Sequence, residues 1–310
     1  MKARTAPRKR HWRYWLNLLV VALVWAVVLL YLGYVGIWVR WAARPARHGL
    51  CCITPADLGW GYEEVTLKAA DSVTLFGWYI PSQNGAAVIL LHGYGANRVQ
   101  MAKRAGLLAA HGYGALLYDQ RASGESEGET RSFGWADVED VPAVLEFLVE
   151  REEVDPERVG ALGFSLGGQI ALRAAAELDG LRAVVAEEPG FSTPEDLPWV
   201  TTPEERWVAL TYRLGFKGLE LWTGVRNPSG VVESLPGIAP RPVLFIAAGA
   251  AQDPGHQSVR YFYDMASEPK EWWYVPEAGH GEVPDVRGKE YEERIVGFFE
   301  STLLREGAKR

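Results

Sequence analysis

The segment RVGALGFSLGGQ, residues 158–169, decides the fold. It begins with an apolar run that is typical of a buried strand and passes through GFSLG, Gly163 to Gly167, into a helix-like stretch. Glycines two positions before and two after Ser165 permit a sharp turn in which a side chain would clash with neighbouring backbone. This context favours a nucleophilic serine at a helix N-terminus over a glycine turn that carries a structural serine.

Short runs rich in Val, Ile and Leu recur on both sides of this segment, as expected for strands buried on both faces of a sheet. They cover residues 86–91, 114–118, 158–162, 183–186, 242–247 and 271–275, after a predicted hairpin at 62–69 and 73–80. Helix-like stretches at 97–110, 166–177, 257–266 and 288–304 lie between or after them. The alternation predicts an α/β fold, a mostly parallel sheet with helices on both faces.

Residues 189–240 interrupt this alternation and are predicted to form a helical cap insertion over the site. Thr202, Pro203 and Glu205 form a capping box with proline at the first helical position, so a helix is expected to begin there. The insertion is rich in aromatic residues, which either line an acyl pocket or pack the cap onto the sheet. These residues are Trp199, Trp207, Tyr212, Phe216 and Trp222.

Residues 14–39 carry no charge and would form a helix about 39 Å long, enough to cross a bilayer with some tilt. The residues before Ala42, Ala43 and Ala46 do not suit cleavage of a secretory signal. Six basic residues precede the run and three follow it, which predicts a cytoplasmic N-terminus and an exported catalytic domain. The expected organisation is a basic tail at 1–13, a transmembrane helix at 14–39, a linker at 40–61 and the α/β domain at 62–310.

Charge and cysteine content restrict the partners. Outside the nine basic residues that flank the apolar run, 23 Lys and Arg face 39 Asp and Glu, a net charge near −16. This acidic balance argues against a nucleic-acid substrate. Cys51 and Cys52 are adjacent, so no long-range disulfide framework is expected. No clustered ligands occur at metal-site spacing, so neither a metal nor another cofactor is predicted.

A nucleophilic serine needs oxyanion donors and a general base. The predicted donors are the backbone amides of Leu166, directly after the nucleophile, and Tyr94, in the HGYG segment after the run at 86–91. The predicted base is His280, in the glycine-rich EAGHG turn after the last strand. His92 of HGYG is expected to have a structural role in its loop.

The acid that orients the base has more than one candidate. Asp253, which follows the run at 242–247, gives the chain order serine, aspartate, histidine and is the predicted acid. Glu187 and Glu188, at the end of the preceding strand, remain the alternatives.

These residues resemble the α/β-hydrolase superfamily over about residues 60–305, and in particular its serine aminopeptidase or monoacylglycerol-lipase-like branch. The match consists of HGYG, GFSLGG, Asp253 and EAGH before a final helix. DQRASGES, residues 119–126, resembles the strand-end turn of that branch but has Ala122 and Ser123 within its usual Arg-Gly-His-Gly core. GAAQD also spaces Asp253 one residue further from Gly249 than is usual.

The resemblance and the residues together predict a membrane-anchored serine hydrolase that cleaves ester-like substrates, lipid or other acyl esters, through an acyl-enzyme intermediate. The bilayer is the partner of residues 14–39. Three alternatives stay open: a serine peptidase acting on short peptides, an acyltransferase, and a non-catalytic scaffold with a hydrolase-like fold.

Overall fold

Eight strands form one sheet at the centre of the computed structural model, which describes residues 11–197, 200, 202–250 and 254–304. The strands are β1 (Glu63–Lys68), β2 (Thr74–Ile80), β3 (Ala87–Leu91), β4 (Gly114–Tyr118), β5 (Val159–Phe164), β6 (Ala183–Glu187), β7 (Val243–Ala248) and β8 (Lys270–Val275). Their order is β1-β2-β4-β3-β5-β6-β7-β8, and β2 runs antiparallel to both of its neighbours. The other pairs are parallel, as the sequence predicts.

Nine α-helices are described around this sheet. They are α1 (His11–Ala43), α2 (Ala102–Ala110), α3 (Val141–Val149), α4 (Leu166–Glu177), α5 (Pro203–Thr223), α6 (Val231–Ser234), α7 (Pro254–Met265), α8 (Val283–Val286) and α9 (Gly288–Phe299). Helices α3, α4 and α7 pack on one face of the sheet, and α2 and α9 pack on the other. Alternate residues of β3 enter the two cores, since Ile89 lies in one and Leu90 in the other.

Helix α1 begins before the predicted span and continues beyond it to Ala43. By length and composition it is the one described helix that could cross a membrane. Most of its apolar residues are exposed, whereas Ala42 and Ala43 at its end are fully buried against the domain. The last turn of α1 is therefore part of the globular core.

The cap helix α5 begins with the predicted capping box, in which Thr202 and Glu205 each bind the other's backbone amide. It packs lengthwise against the second half of α1. The ring of Trp38 lies 5.7 Å from the ring of Phe216, and the Tyr31 and Thr211 hydroxyls are 2.7 Å apart. The close approach depends on Gly215, where an added Cβ would lie 2.6 Å from the Trp38 ring.

We expect Gly215→Ala to lower the midpoint of thermal unfolding of the full chain in detergent. The added methyl group overpacks the α1–α5 contact at a cost of about 1–3 kcal/mol, which exceeds the ~1 kcal/mol gain in helix propensity. Gly36→Ala is the matched control on α1, because a Cβ there meets no atom within 4 Å. A Gly215→Ala chain as stable as Gly36→Ala would contradict this packing.

Candidate active site

Ser165 lies in the turn between β5 and α4, with a backbone φ of 52° that L-residues rarely adopt. A Cβ at Gly163 would lie 2.1 Å from the Gly167 carbonyl oxygen, and one at Gly167 would lie 2.1 Å from that of Leu91. Both glycines are therefore required for the reason that the sequence predicts. The Ser165 amide donates to the Glu187 carbonyl at 2.9 Å, which fixes the turn to the neighbouring strand.

His280 lies in the loop between β8 and α8, and its Nε2 is 3.0 Å from Ser165 Oγ. Its ring packs on Phe164, the residue before Ser165, with 4.9 Å between the ring centroids. The imidazole is thus within hydrogen-bonding distance of the serine proton that a general base must accept. The structure brings together the two residues that the sequence proposes as nucleophile and base.

The carboxylate beside His280 belongs to Glu188, directly after β6. Glu188 Oε2 lies 2.7 Å from His280 Nδ1, and Oε1 accepts a 2.9 Å hydrogen bond from the Gly281 amide. Glu188 is only 7% exposed, so it forms these bonds away from bulk water. Both carboxylate oxygens therefore hold the loop that carries the imidazole.

This contact bears on the acid, for which the sequence analysis prefers Asp253 and keeps Glu188 as an alternative. Asp253 lies outside the described residues, and Glu188 forms the Nδ1 hydrogen bond that was expected of it. The signal that points to Glu188 is the strand order, because β6 pairs with β5 and Glu187 stands opposite Phe164. The residue after Glu187 consequently lies beside the Ser165 turn. Among the described carboxylates, Glu188 is the one that contacts His280 Nδ1.

Glu187, the other alternative, serves a different purpose. Its carboxylate is fully buried and accepts hydrogen bonds from Arg104 Nε at 2.8 Å and from the Tyr291 hydroxyl at 2.9 Å. Successive strand residues point to opposite faces of a sheet, so Glu187 points towards α2 and α9. It forms a buried ion pair behind the site and has no described contact with the His280 ring.

The hydrogen bond to Glu188 raises the pKa of His280 above its ordinary value, although partial burial acts in the opposite direction. A carboxylate at Nδ1 favours the tautomer in which Nε2 is free to accept a proton, and it stabilises the imidazolium that results. The arrangement suits an imidazole that repeatedly gains and loses a proton at Nε2.

The two predicted oxyanion donors belong to segments beside Ser165. Leu166 is the first residue of α4, and Tyr94 shares a concavity of about 480 Å³ with Ser165 and His280. The adjacent Gly93 amide already donates to Gln100 Oε1 at 2.7 Å. The Tyr94 hydroxyl donates to the Trp41 carbonyl at 2.9 Å, which fixes the loop to the end of α1.

His92 is buried and has the structural position that the sequence suggests. Its Nδ1 lies 2.9 Å from the Gly93 carbonyl, and its Nε2 accepts a 3.1 Å hydrogen bond from the Gln120 amide. Burial lowers the pKa of His92 to about 3, so the ring remains neutral. Within the described part of the chain, no group of His, Cys, Asp and Glu is arranged to hold a metal ion.

A second cavity, of about 390 Å³, lies between Ser165 and the cap. Its lining is mostly apolar and includes Phe191, Leu197, Tyr212, Ala248 and Val259. Of the five cap aromatics named in the sequence analysis, Tyr212 lines this cavity, while Phe216 packs on Trp38 and Trp207 packs on Tyr31. Trp199 lies outside the described residues. The cap aromatics therefore serve mainly to pack the cap, and one of them forms a wall of the cavity.

The mostly parallel eight-stranded sheet, the serine turn after β5 and the histidine loop after β8 define an α/β-hydrolase fold. In this fold the chain is similar to proteins of the α/β-hydrolase superfamily. Residues 67–203 match the model of the X-Pro dipeptidyl-peptidase family, S15.

Comparisons with individual proteins agree with this fold. The uncharacterized protein YfhR of Escherichia coli O157:H7 is 26% identical over 79% of this chain and 82% of its own. The α/β-hydrolase domain-containing protein WAV2 of Arabidopsis thaliana is 28% identical over 70% of this chain and 71% of its own. Among solved structures, the Pyrococcus furiosus esterase Pf2001 is 25% identical with a TM-score of 0.69, covering 84% of this chain and 98% of its own.

We expect Glu188→Gln to reduce kcat by up to about 10⁴-fold on an ester substrate, because an amide favours the wrong imidazole tautomer. Asp253→Asn is the matched control and should retain kcat within a few-fold of wild type. Circular dichroism must show that both variants are folded. A nearly normal Glu188→Gln enzyme beside an inactive, folded Asp253→Asn enzyme would return the acid to Asp253.

Proposed function

We propose that the protein is a membrane-anchored serine hydrolase that cleaves ester-like substrates through an acyl-enzyme intermediate on Ser165. The observation that carries this proposal is the unbroken line of contacts from Glu188 Oε2 through His280 to Ser165 Oγ, with distances of 2.7 and 3.0 Å. These are the separations needed for a base to take the serine proton while a carboxylate holds the base in place.

In the proposed mechanism, His280 Nε2 accepts the Ser165 proton as Oγ attacks the substrate carbonyl carbon. The backbone amides of Tyr94 and Leu166 donate to the oxyanion that forms. His280 then gives its proton to the departing alcohol, which leaves an acyl group on Oγ. A water molecule, deprotonated by His280, attacks this ester and releases the acid, and the proton returns to Ser165.

An ester is favoured over a peptide by the cavity lining. Enzymes that remove residues from a peptide N-terminus need a partner for the free ammonium group, and a buried carboxylate is suited to that task. Among the described residues that line the cavity, Glu188 is the only carboxylate, and it is engaged by His280. The esterase among the structural neighbours agrees with this choice, whereas the S15 family match supports a serine peptidase as the second candidate. An acyltransferase would use the same acyl-enzyme with an alcohol as acceptor.

The exposed apolar length of α1 supports the anchor. Six basic residues before residues 14–39 and three after them favour a cytoplasmic N-terminus and an extracytoplasmic catalytic domain. In this arrangement α1 is a single-pass anchor whose last turn is fixed to the hydrolase domain.

We expect Ser165→Ala to reduce kcat on the order of 10⁶-fold on p-nitrophenyl esters, since the nucleophile is removed. Ser301→Ala, at a serine far along the chain in the final helical turn, is the matched control and should retain full activity. The apolar cavity predicts that medium-length acyl esters react faster than acetyl esters and than dipeptidyl amides. Activity of Ser165→Ala within tenfold of wild type would refute the assignment.

A fluorophosphonate that cannot cross membranes extends this measurement to intact cells. It should label the wild-type chain from outside and leave Ser165→Ala unlabelled. Labelling that appears only after lysis would put the catalytic domain in the cytoplasm, and its absence after lysis would favour the non-catalytic scaffold. An ester product that forms when an alcohol is added would indicate an acyltransferase.

A further inference from the structure

A third cavity, also of about 480 Å³, lies beside the end of α1 and shares no lining residue with the two cavities at Ser165. It lies between the residues that follow α1 and the segment 122–131, which includes the second half of the DQRASGES turn. Three arginines line it, Arg44, Arg47 and Arg131, together with the carboxylate of Glu129. We call this space the arginine cavity.

Arg131 is the buried member of the arginine cavity. It is 4% exposed, its Nε donates a 3.2 Å hydrogen bond to the Ala122 carbonyl, and its Nη2 has no hydrogen-bond partner among the described residues. The nearby Asp137 attracts this charge, but burial and the charge of Asp140 raise the pKa of Asp137 to about 7. The carboxylate is therefore only partly ionised at neutral pH. A buried guanidinium that lacks a full counter-charge is costly, and an anion would offset that cost.

The two exposed arginines add positive charge to the same space. Arg47 donates hydrogen bonds to the backbone carbonyls of Ser126 and Gly128, which are neutral acceptors. Arg44 lies 3.9 Å from the carboxylate of Glu129, whose side chain is 92% exposed, so this ion pair is weak. The guanidinium charge at the arginine cavity therefore exceeds the carboxylate charge.

This surplus contrasts with the charge of the domain. Outside the nine basic residues that flank the apolar run, the chain has a net charge near −16, which repels anions in general. An anion that binds here must therefore be held by local contacts. Planar guanidinium groups match the oxygens of a phosphate group and donate to them in pairs. A cavity of about 480 Å³ also has room for a small organic group attached to the phosphate.

Arg131 also connects the arginine cavity to the end of α1 and to the loop after β3. Its amide donates to the Ala43 carbonyl at 2.8 Å, and its Cζ lies 5.9 Å from the centre of the Tyr94 ring. The Tyr94 hydroxyl in turn donates to the Trp41 carbonyl. A ligand that holds the Arg131 side chain would therefore stabilise the junction between α1 and the domain.

We propose that the arginine cavity binds the phosphate group of an anion through the guanidinium groups of Arg44, Arg47 and Arg131. Two sources offer this group, a soluble phosphate monoester and the headgroup of a phospholipid. The site is separate from Ser165, so binding does not depend on the proposed hydrolysis.

Calorimetric titration of the full chain in dodecyl maltoside and a phosphate-free buffer tests the site. Inorganic phosphate and glycerol 3-phosphate should each bind saturably, with one site per chain, and should raise the midpoint of thermal unfolding. Arg131→Gln should weaken binding about tenfold, because charge-assisted hydrogen bonds are lost. Glu129→Gln should bind about threefold more tightly, since a competing exposed carboxylate is removed.

Two further variants keep the test decisive if Arg131→Gln does not fold. Arg44→Gln changes a half-exposed side chain and should weaken binding about threefold. Arg260→Gln is its matched control, because the Arg260 side chain is 51% exposed, against 50% for Arg44, and is also paired with one carboxylate. It should bind phosphate as the wild type does. Absence of saturable binding to the wild type, or equal weakening by Arg44→Gln and Arg260→Gln, would overturn the proposal.

Ser165→Ala separates this site from the catalytic one. Its affinity for phosphate should equal that of the wild type, and loss of binding would place the anion at the active site and overturn the proposal. Unchanged binding by an inactive Ser165→Ala chain would support the arginine cavity whatever reaction the enzyme catalyses.

Native mass spectrometry of the detergent complex distinguishes the two sources when glycerol 3-phosphate and phosphatidylglycerol are offered together. One retained glycerol 3-phosphate, reduced in Arg44→Gln and retained in Arg260→Gln, would support the site with a soluble ligand. One retained phosphatidylglycerol with the same dependence would support it with a lipid headgroup. Equal retention of either molecule by the wild type and Arg44→Gln would contradict the proposal.

Discussion

The hydrogen bond between Glu188 Oε2 and His280 Nδ1 joins two loops that lie 92 residues apart in sequence. The site depends on it because His280 belongs to a loop after the edge strand β8, while Ser165 and Glu188 follow the adjacent central strands β5 and β6. The Gly281 amide binds the second oxygen of the same carboxylate. One buried glutamate thus fixes both the ring and the backbone that carries it, and thereby the distance from Nε2 to Ser165 Oγ.

The end of α1 is joined to the same centre through the loop after β3. The Tyr94 hydroxyl binds the Trp41 carbonyl, and the Arg131 amide binds the Ala43 carbonyl at 2.8 Å. On the other side, Trp38 packs on the cap helix whose Tyr212 lines the cavity. In the proposed function the anchor therefore does more than tether the enzyme, since it sets the orientation of the cap and the oxyanion loop relative to the membrane.

Local sequence patterns were sufficient to predict much of the fold. The bounds of β4 and α4 agree with prediction at both ends, because buried runs and the serine turn are encoded within short segments. Helix α3 was not predicted, although Pro142, its second residue, is compatible with a first helical turn. The position of Glu188 beside the Ser165 turn depends on the strand order, which is a non-local property. The contact of the cap aromatics with α1 could not be predicted either. The spacing of aromatic residues within α5 does not indicate which other helix they pack against.

The dependence of fluorophosphonate inactivation on pH tests the Glu188–His280–Ser165 relay most directly. Ser165 is activated only while His280 is neutral, and Glu188 raises the pKa of His280 above its ordinary value of 6.5. In wild type and Asp253→Asn the inactivation rate should rise with pH through an ionisation above 6.5. In Glu188→Gln it should be slower, with the ionisation shifted to lower pH. An unchanged profile in Glu188→Gln together with a shifted one in Asp253→Asn would contradict the account.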